Sequence, residues 1–169
     1  MKLQFFPEEN IVYKTELKED EILKRLADNI QLPSVPIFRF MFGKPSLKLY
    51  QGKISGHTFE IKRDIPYMNS FRPNIKGVIE GSNVGAIIKV KMQIVVYIKV
   101  FLFFWLGMMT LFAASMTWKS IFERFNAEMF FPYIMFIVAY GIMWAGFTSE
   151  SSQTKEDLKI IFKARIAKD

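Results

Sequence analysis

Two long uncharged hydrophobic stretches constrain the fold of this chain more than any other feature of its sequence. Val100–Met116 has seventeen residues and Met129–Phe147 has nineteen, and none of them is charged. A helix needs about 17–25 predominantly apolar residues to cross the hydrocarbon core of a bilayer. Neither stretch has a polar face, and the remaining chain is too short to enclose both as core helices. The sequence therefore predicts a two-helix transmembrane hairpin over residues 100–147.

The distribution of basic residues predicts the orientation of this hairpin. The connecting loop, Lys119–Glu128, contains only two basic residues, Lys119 and Arg124. Lys and Arg concentrate in the cytoplasmic segments that flank membrane helices. We therefore expect both termini to be cytoplasmic and the protein to lie in the plasma membrane. The seven basic residues on the terminal side are Lys89, Lys91, Lys99, Lys155, Lys159, Lys163 and Arg165.

The region before the hairpin has the pattern of an α+β domain. Ile11–Leu17 has strand character, and Glu19–Ile30 has the apolar spacing of an amphipathic helix. Acidic residues at the start of that helix favour its N-terminus through the helix dipole. Residues 31–36 contain two prolines and are predicted to be a linker.

Two β-hairpins are predicted next. Leu47–Ile54 and His57–Asp64 flank Ser55 and Gly56, which are typical turn residues. A second pair of strands, Ile75–Glu80 and Val84–Ile94, is joined across residues 81–83. In the last strand Ile88, Val90, Met92 and Ile94 alternate with polar side chains, which indicates an antiparallel sheet with one dry face.

The C-terminal segment is predicted to form a helix that packs on this domain. Thr154 is a candidate N-cap, and an apolar stripe follows it at Leu158, Ile161, Phe162 and Ile166. The alternative is a helix that lies on the membrane surface, because its basic residues could meet anionic lipid. The predicted organisation is an α+β fold: a cytoplasmic antiparallel β-sheet domain with flanking helices (residues 1–99), the transmembrane hairpin (100–147), and the cytoplasmic C-terminal helix (148–169).

Few residues of this chain could carry chemistry. It has no cysteine, and its only histidine, His57, lies beside a predicted turn. Cysteine nucleophiles and thiolate metal sites are thereby excluded, and no carboxylates cluster at metal-ligand spacing. We predict no catalytic residue, no cofactor and no metal site. The net charge of +7 accompanies no nucleic-acid-binding motif, so a lipid bilayer is the expected partner rather than nucleic acid.

One segment between the two hairpins is a candidate binding loop. It runs from Tyr67 to Pro73 and has aromatic residues close to a cation. It could be a structural crossover in which Phe71 fills the core. It could instead bind a ligand or partner, with Arg63, Asn69 and Arg72 holding an anion and Phe71 contributing contact area.

One set of positions runs from the first predicted hairpin into the second: Tyr50, Gly52, Ile54, Phe59, Ile61, Arg63, Tyr67, Asn69, Ser70, Phe71, Pro73, Ile75, Gly77 and Ile79. This pattern resembles a family of uncharacterised bacterial two-helix membrane proteins with a sheet-rich cytoplasmic domain. Met68 departs from the pattern, which has a basic residue there. The resemblance implies that architecture and a bacterial inner membrane, but no activity and no active residues.

These observations predict a membrane-tethered, non-enzymatic binding or scaffolding module for a cytoplasmic protein or a lipid headgroup. The alternative is a small subunit of a larger membrane complex, since both hydrophobic stretches carry small residues four apart. An enzyme that acts on lipid is a third possibility. The small residues are Thr110 and Ala114 in the first stretch and Gly141 and Ala145 in the second.

Overall fold

The computed structural model describes residues 5–31, 48–82, 84–122 and 130–167. Within these ranges the fold is α+β, with seven strands in one sheet and three helices. The strands are β1 (Glu8–Thr15), β2 (Ile30–Gln31), β3 (Tyr50–Ser55), β4 (Thr58–Arg63), β5 (Asn74–Ser82), β6 (Gly85–Gln93) and β7 (Arg165–Ile166). The helices are α1 (Glu19–Asn29), α2 (Val96–Phe122) and α3 (Phe131–Ile161).

The sheet has the order β2-β3-β4-β5-β6-β1-β7. Its neighbouring strands are antiparallel except for the short parallel pair of β2 and β3. The prediction of an antiparallel sheet is therefore correct for five of the six pairings. The predicted linker at residues 31–36 lies outside the described residues after Gln31.

Helix α1 forms where the sequence predicts it. Its first turn carries three acidic residues, and its apolar residues Ile22 and Leu26 are fully buried. The helix ends at Asn29 because Ile30 takes an extended conformation and begins β2. The acidic side chains of the first turn stabilise the N-terminus of the helix through its dipole. The buried stripe supplies the packing energy that holds the helix on the sheet.

Both predicted hairpins are present, with turns shifted by one residue or more. In the first, Ser55 pairs with Thr58, so Gly56 and His57 form the turn in place of the predicted Ser55 and Gly56. Gly56 has φ +56°, a left-handed conformation that strongly favours glycine over other residues. In the second, β5 continues to Ser82, which pairs with Gly85. The turn positions were wrong because a register is decided by the whole ladder rather than by its turn residues alone.

One face of the sheet is apolar and buried. Ile88, Val90 and Met92 of β6 are all buried, as the alternation in the sequence predicts, and Ile94 after the strand is buried as well. Gly77 of β5 lies opposite Phe59 of β4, and a Cβ added to this glycine would lie 2.1 Å from the Phe59 ring. Glycine at this position therefore makes room for the aromatic ring. We call the face that carries Ile88, Val90 and Met92 the inner face, and the opposite face of the sheet the open face.

The C-terminal segment is helical and its apolar residues Leu158 and Ile161 join the core cluster, but the predicted start of a helix at Thr154 is wrong. Helix α3 runs without interruption from Phe131 to Ile161, so Thr154 is an interior, fully buried helix residue rather than an N-cap. No glycine or proline stands between Phe147 and Thr154 to break the helix. The buried stripe also continues across this segment at helical spacing: Met143, Phe147, Glu150, Thr154, Leu158 and Ile161.

The end of α3 explains why the predicted apolar stripe stops early. Lys163 has φ +44°, and the amide of Ala164 donates to the carbonyl of Lys159 at 3.1 Å, which closes the helix with a Schellman motif. The chain then turns into β7, so Ile166 lies in a strand and is exposed. Phe162 remains fully buried and belongs to the same core cluster as Ile88 and Leu26.

Helices α2 and α3 contact each other and carry most of the large apolar side chains that are exposed among the described residues. Both are long and apolar enough to cross a membrane by length and composition. Only 11% of the most apolar part of α2 and 17% of that of α3 is buried. The core helices of a soluble protein are mostly buried. The hydroxyls of Thr117 and Tyr133 lie 2.8 Å apart between the two helices. Leu102 of α2 and Phe147 of α3 join the core cluster, so the packing is continuous from the hairpin into the sheet.

Candidate functional site

The candidate binding loop between β4 and β5 is docked on α3. The side-chain amide of Asn69 donates to the carbonyl of Gly146 at 3.1 Å, and its oxygen accepts from the amide of Phe71 at 2.9 Å. Phe71 is half-buried and packs against the core cluster. A Cβ at Gly146 would lie 3.4 Å from the Phe71 Cβ, so the loop approaches the helix closely there. The loop is thus tied to α3 near the end of the apolar stretch.

Arg63 makes a different set of contacts from those predicted for an anion-binding residue. Its guanidinium contacts Glu150 at 3.4 Å, Asp157 at 3.1 Å and the side chain of Gln153. Burial alone would lower the pKa of Arg63, but the two carboxylates outweigh it and raise the pKa. The charge of Arg63 is therefore neutralised within the chain, between the end of β4 and the C-terminal half of α3.

Glu150 is the central acceptor of this ion-pair cluster. Its side chain is fully buried, and it also accepts a hydrogen bond from the hydroxyl of Tyr67. That hydrogen bond, followed by burial, raises the pKa of Tyr67. Tyr50 donates to Asp157 at 3.3 Å, and burial raises the pKa of its phenol well above the usual range. Both tyrosines are therefore neutral hydrogen-bond donors at neutral pH.

Sequence reasoning missed Glu150. One signal was available, because Glu150 is the first ionisable residue after Met129–Phe147. A carboxylate that follows an apolar helix by three residues remains on the same helical face as the buried stripe. Its partner could not be found, since Arg63 is 87 residues away in sequence.

Of the four predicted loop residues, Arg72 is the one whose charge the structure leaves without a carboxylate partner. Arg72 donates from Nη1 to the backbone oxygen of Arg63 at 3.3 Å and forms no ion pair among the described residues. Asn69 and Phe71 are engaged in docking the loop, and Arg63 is paired. The structure brings all four residues into one region at the end of the sheet that is nearest α2 and α3.

The open face of the sheet is a second candidate surface. It is a groove of about 660 Å³ with an apolar floor that includes Val12 and Val78. Lys76, Lys89 and Lys91 pair with Glu60, Glu80 and Glu8 at 3.5, 2.7 and 2.8 Å, and these pairs are largely exposed. Exposed ion pairs contribute little to stability and remain available to other ligands. The basic residues on this face are Lys14, Lys53, Lys62, Lys76, Lys89, Lys91 and Arg165, against the acidic Glu8, Glu60 and Glu80.

The remaining candidate for chemistry is His57. It lies in the β3–β4 turn, its side chain is largely exposed, and it contacts Glu19 at the start of α1. Its ring is bonded to Glu19, while the nearby hydroxyl of Thr58 donates to the carbonyl of Ser55, so the described residues show no nucleophile hydrogen-bonded to His57. In the part of the chain that the structure describes, no three His, Asp or Glu side chains are grouped to hold a metal ion.

Comparisons with models of protein families, with curated proteins and with solved structures found no match to this chain.

Proposed function

We propose that this protein is a membrane-tethered, non-enzymatic binding module whose open sheet face receives an acidic protein on the cytoplasmic side of a bacterial membrane. The proposal has two parts, an anchor and a binding surface. The observation that carries it is the continuity of α3, which exposes apolar side chains along its first half and packs under the sheet with its second half.

The anchor is supported by the exposure of large apolar side chains on α2 and α3. Phe103 and Leu111 of α2 and Ile137 of α3 are each at least 70% exposed. A contiguous apolar surface of this kind is unfavourable in water and favourable in lipid. The uncharged part of α3 has a length of about 28 Å at 1.5 Å per residue, which matches a hydrocarbon core of about 30 Å.

We expect cytoplasmic termini and a loop on the far side of the membrane. Single cysteines can report this directly, because the chain has none of its own. Cysteines placed after Asp169 and within Lys119–Glu128 should differ in labelling by a membrane-impermeant maleimide in intact cells. The loop cysteine should react and the C-terminal cysteine should react only after permeabilisation. Equal labelling of both positions before permeabilisation would contradict the orientation that the basic residues predict.

Two properties of the open face support its role as the binding surface: its basic charge and the direction in which it would face. Because residues 150–161 of α3 continue beyond the apolar stretch and pack along the inner face, the open face would look sideways into the cytoplasm rather than down onto headgroups. Lysines around an apolar floor match an acidic amphipathic protein segment. None of the described residues on this face is aromatic, so they offer no ring for base stacking, and three glutamates lie among the lysines. Both features disfavour single-stranded nucleic acid.

The test uses a photo-crosslinking amino acid at Val78, which is exposed on the open face. In the native membrane we expect adducts with a protein of acidic isoelectric point. Combined Lys76→Glu and Lys89→Glu substitutions should lower the yield by about tenfold or more, since like charges would oppose the partner. The matched control, Lys24→Glu with Lys159→Glu, makes the same charge change at exposed positions on α1 and α3 and should retain the adducts. An unchanged yield in the Lys76/Lys89 variant, or adducts with nucleic acid alone, would refute this binding surface.

A second candidate function is that of a small subunit in a larger membrane complex. Thr110, Ala114, Gly141 and Ala145 are all exposed, and nothing lies within 4 Å of a Cβ added at Gly141. These small residues are therefore not used in the contact between α2 and α3 and could accept a helix of another subunit. The mass of the detergent-solubilised particle separates the two functions, because a lateral complex keeps a stoichiometric partner when the open face is charge-reversed.

A further inference from the structure

The β4–β5 loop, residues 64–73, lies at the level where α3 would leave the bilayer. Asn69 binds the carbonyl of Gly146, and Phe71 packs beside the same glycine. Gly146 is the penultimate residue of the uncharged stretch that ends at Phe147. If α3 crosses the membrane as proposed above, this hydrogen bond places the loop among the lipid headgroups.

The tip of this loop exposes apolar side chains. Met68 is 94% exposed and Tyr67 is 52% exposed, although the ring of Tyr67 is oriented by its hydrogen bond to Glu150. No described residue packs over the Met68 side chain. Tyrosine and flexible apolar side chains are favourable at the boundary between headgroups and acyl chains, where one end is wet and the other is not.

Two cations lie close together at this end of the sheet, because Arg72 donates from Nη1 to the backbone oxygen of Arg63, the residue next to Lys62, at 3.3 Å. Lys62 belongs to the row of paired residues that is nearest to α2, since this row continues through Asn74 to Gln93, three residues before Val96. Burial and then the nearby charge of Arg72 lower the pKa of Lys62. Lys62 and Arg72 form no ion pair with any described carboxylate. The sheet end therefore holds two like charges together.

The negative charge of Glu60 has the opposite effect and raises the pKa of Lys62. The Glu60 carboxylate already has partners within the chain. It accepts from Asn74 at 2.8 Å and pairs with Lys76 at 3.5 Å. The hydrogen bond from Asn74 is the largest cause of the lowered pKa of Glu60. Two adjacent cations that the protein does not neutralise can be neutralised by an anion from outside.

We propose that Lys62 and Arg72 bind the phosphate of an anionic phospholipid headgroup while Tyr67 and Met68 enter the acyl boundary. This inference rests on the membrane placement proposed above. Arginine offers a planar fork of donors to phosphate oxygens, and lysine adds a compact point charge. Lys62 stands at the end of the open face that is nearest α2, outside the groove on that face, whose lining includes neither Lys62 nor Arg72.

The headgroup is tested with the purified full chain in nanodiscs. Energy transfer from a dye on a single added C-terminal cysteine to a labelled phosphatidylglycerol measures the enrichment of that lipid over phosphatidylcholine around the protein. Lys62→Gln with Arg72→Gln should reduce the enrichment by about fivefold for each removed charge. The control Lys24→Gln with Lys53→Gln removes two exposed charges on α1 and β3 and should leave it unchanged. Equal loss in both variants would show nonspecific attraction and overturn the site.

The source of the phosphate is tested by competition and by depth. Inorganic phosphate at 10 mM should not displace the labelled lipid, and displacement would assign the site to a free anion instead. A fluorophore on Met68→Cys should be quenched by lipids with a nitroxide near the headgroup, and one on Met108→Cys in α2 by lipids with a nitroxide in mid-chain. Quenching at position 108 without quenching at 68 would refute the headgroup site while leaving the anchor intact. Absence of quenching at both would refute the anchor as well.

Discussion

Replacing Arg63 by methionine should be the most destabilising single change at the junction between the sheet and α3. The substitution removes the guanidinium from a fully buried Glu150. Among the described residues, that carboxylate is then left with the hydroxyl of Tyr67 as its only hydrogen-bond partner. Removing one member of a buried ion pair costs about 3–5 kcal/mol, because the remaining charge stays buried without compensation. The apparent melting temperature of the detergent-solubilised chain, measured by circular dichroism, should fall by about 12 °C or more.

A double-mutant cycle separates lost pairing from lost packing at this position. Arg63→Met combined with Glu150→Gln removes both charges, so part of the stability should return relative to Arg63→Met alone. A matched control is Arg25→Met, which removes the arginine of an exposed pair with Glu21 on α1 and should cost about 0.5 kcal/mol or less. If the double variant is as unstable as the sum of its single variants, the buried pair is not coupled as its geometry implies.

Replacing Phe162 by alanine should unfold much of the sheet domain's core. Phe162 is fully buried and its ring lies 5.8 Å from the ring of Tyr13 and 6.1 Å from that of Phe59. Truncating a buried phenylalanine costs about 3–5 kcal/mol, through lost transfer energy and the cavity left behind. We expect a comparable fall in melting temperature and faster proteolysis between the strands.

The neighbouring Ile160 provides the control for Phe162. It lies two residues earlier at the end of α3 and is 73% exposed, so Ile160→Ala should change stability by about 0.5 kcal/mol or less. If α3 instead left the sheet and its end lay on lipid, the outcome would be reversed: the Phe162 variant would melt normally. That result would contradict the core packing described above.

The sequence by itself determined the features that depend on local pattern. The two uncharged stretches, helix α1 and the alternating β6 follow from hydrophobic periodicity, because period and length decide which face of an element can be buried. The candidate residues Arg63, Asn69, Phe71 and Arg72 were also identified locally, as a polar and aromatic segment between two hairpins. Their shared location follows from their closeness in the chain.

Tertiary structure alone decided how these elements meet. The sequence predicted a new helix at Thr154, yet α3 continues because the sheet offers its buried stripe a surface to pack against. The pairing of Arg63 with Glu150 and the docking of Asn69 on Gly146 join residues 87 and 77 positions apart. Such contacts depend on strand register and on the packing of one whole element against another, and neither leaves a periodic signal in the sequence.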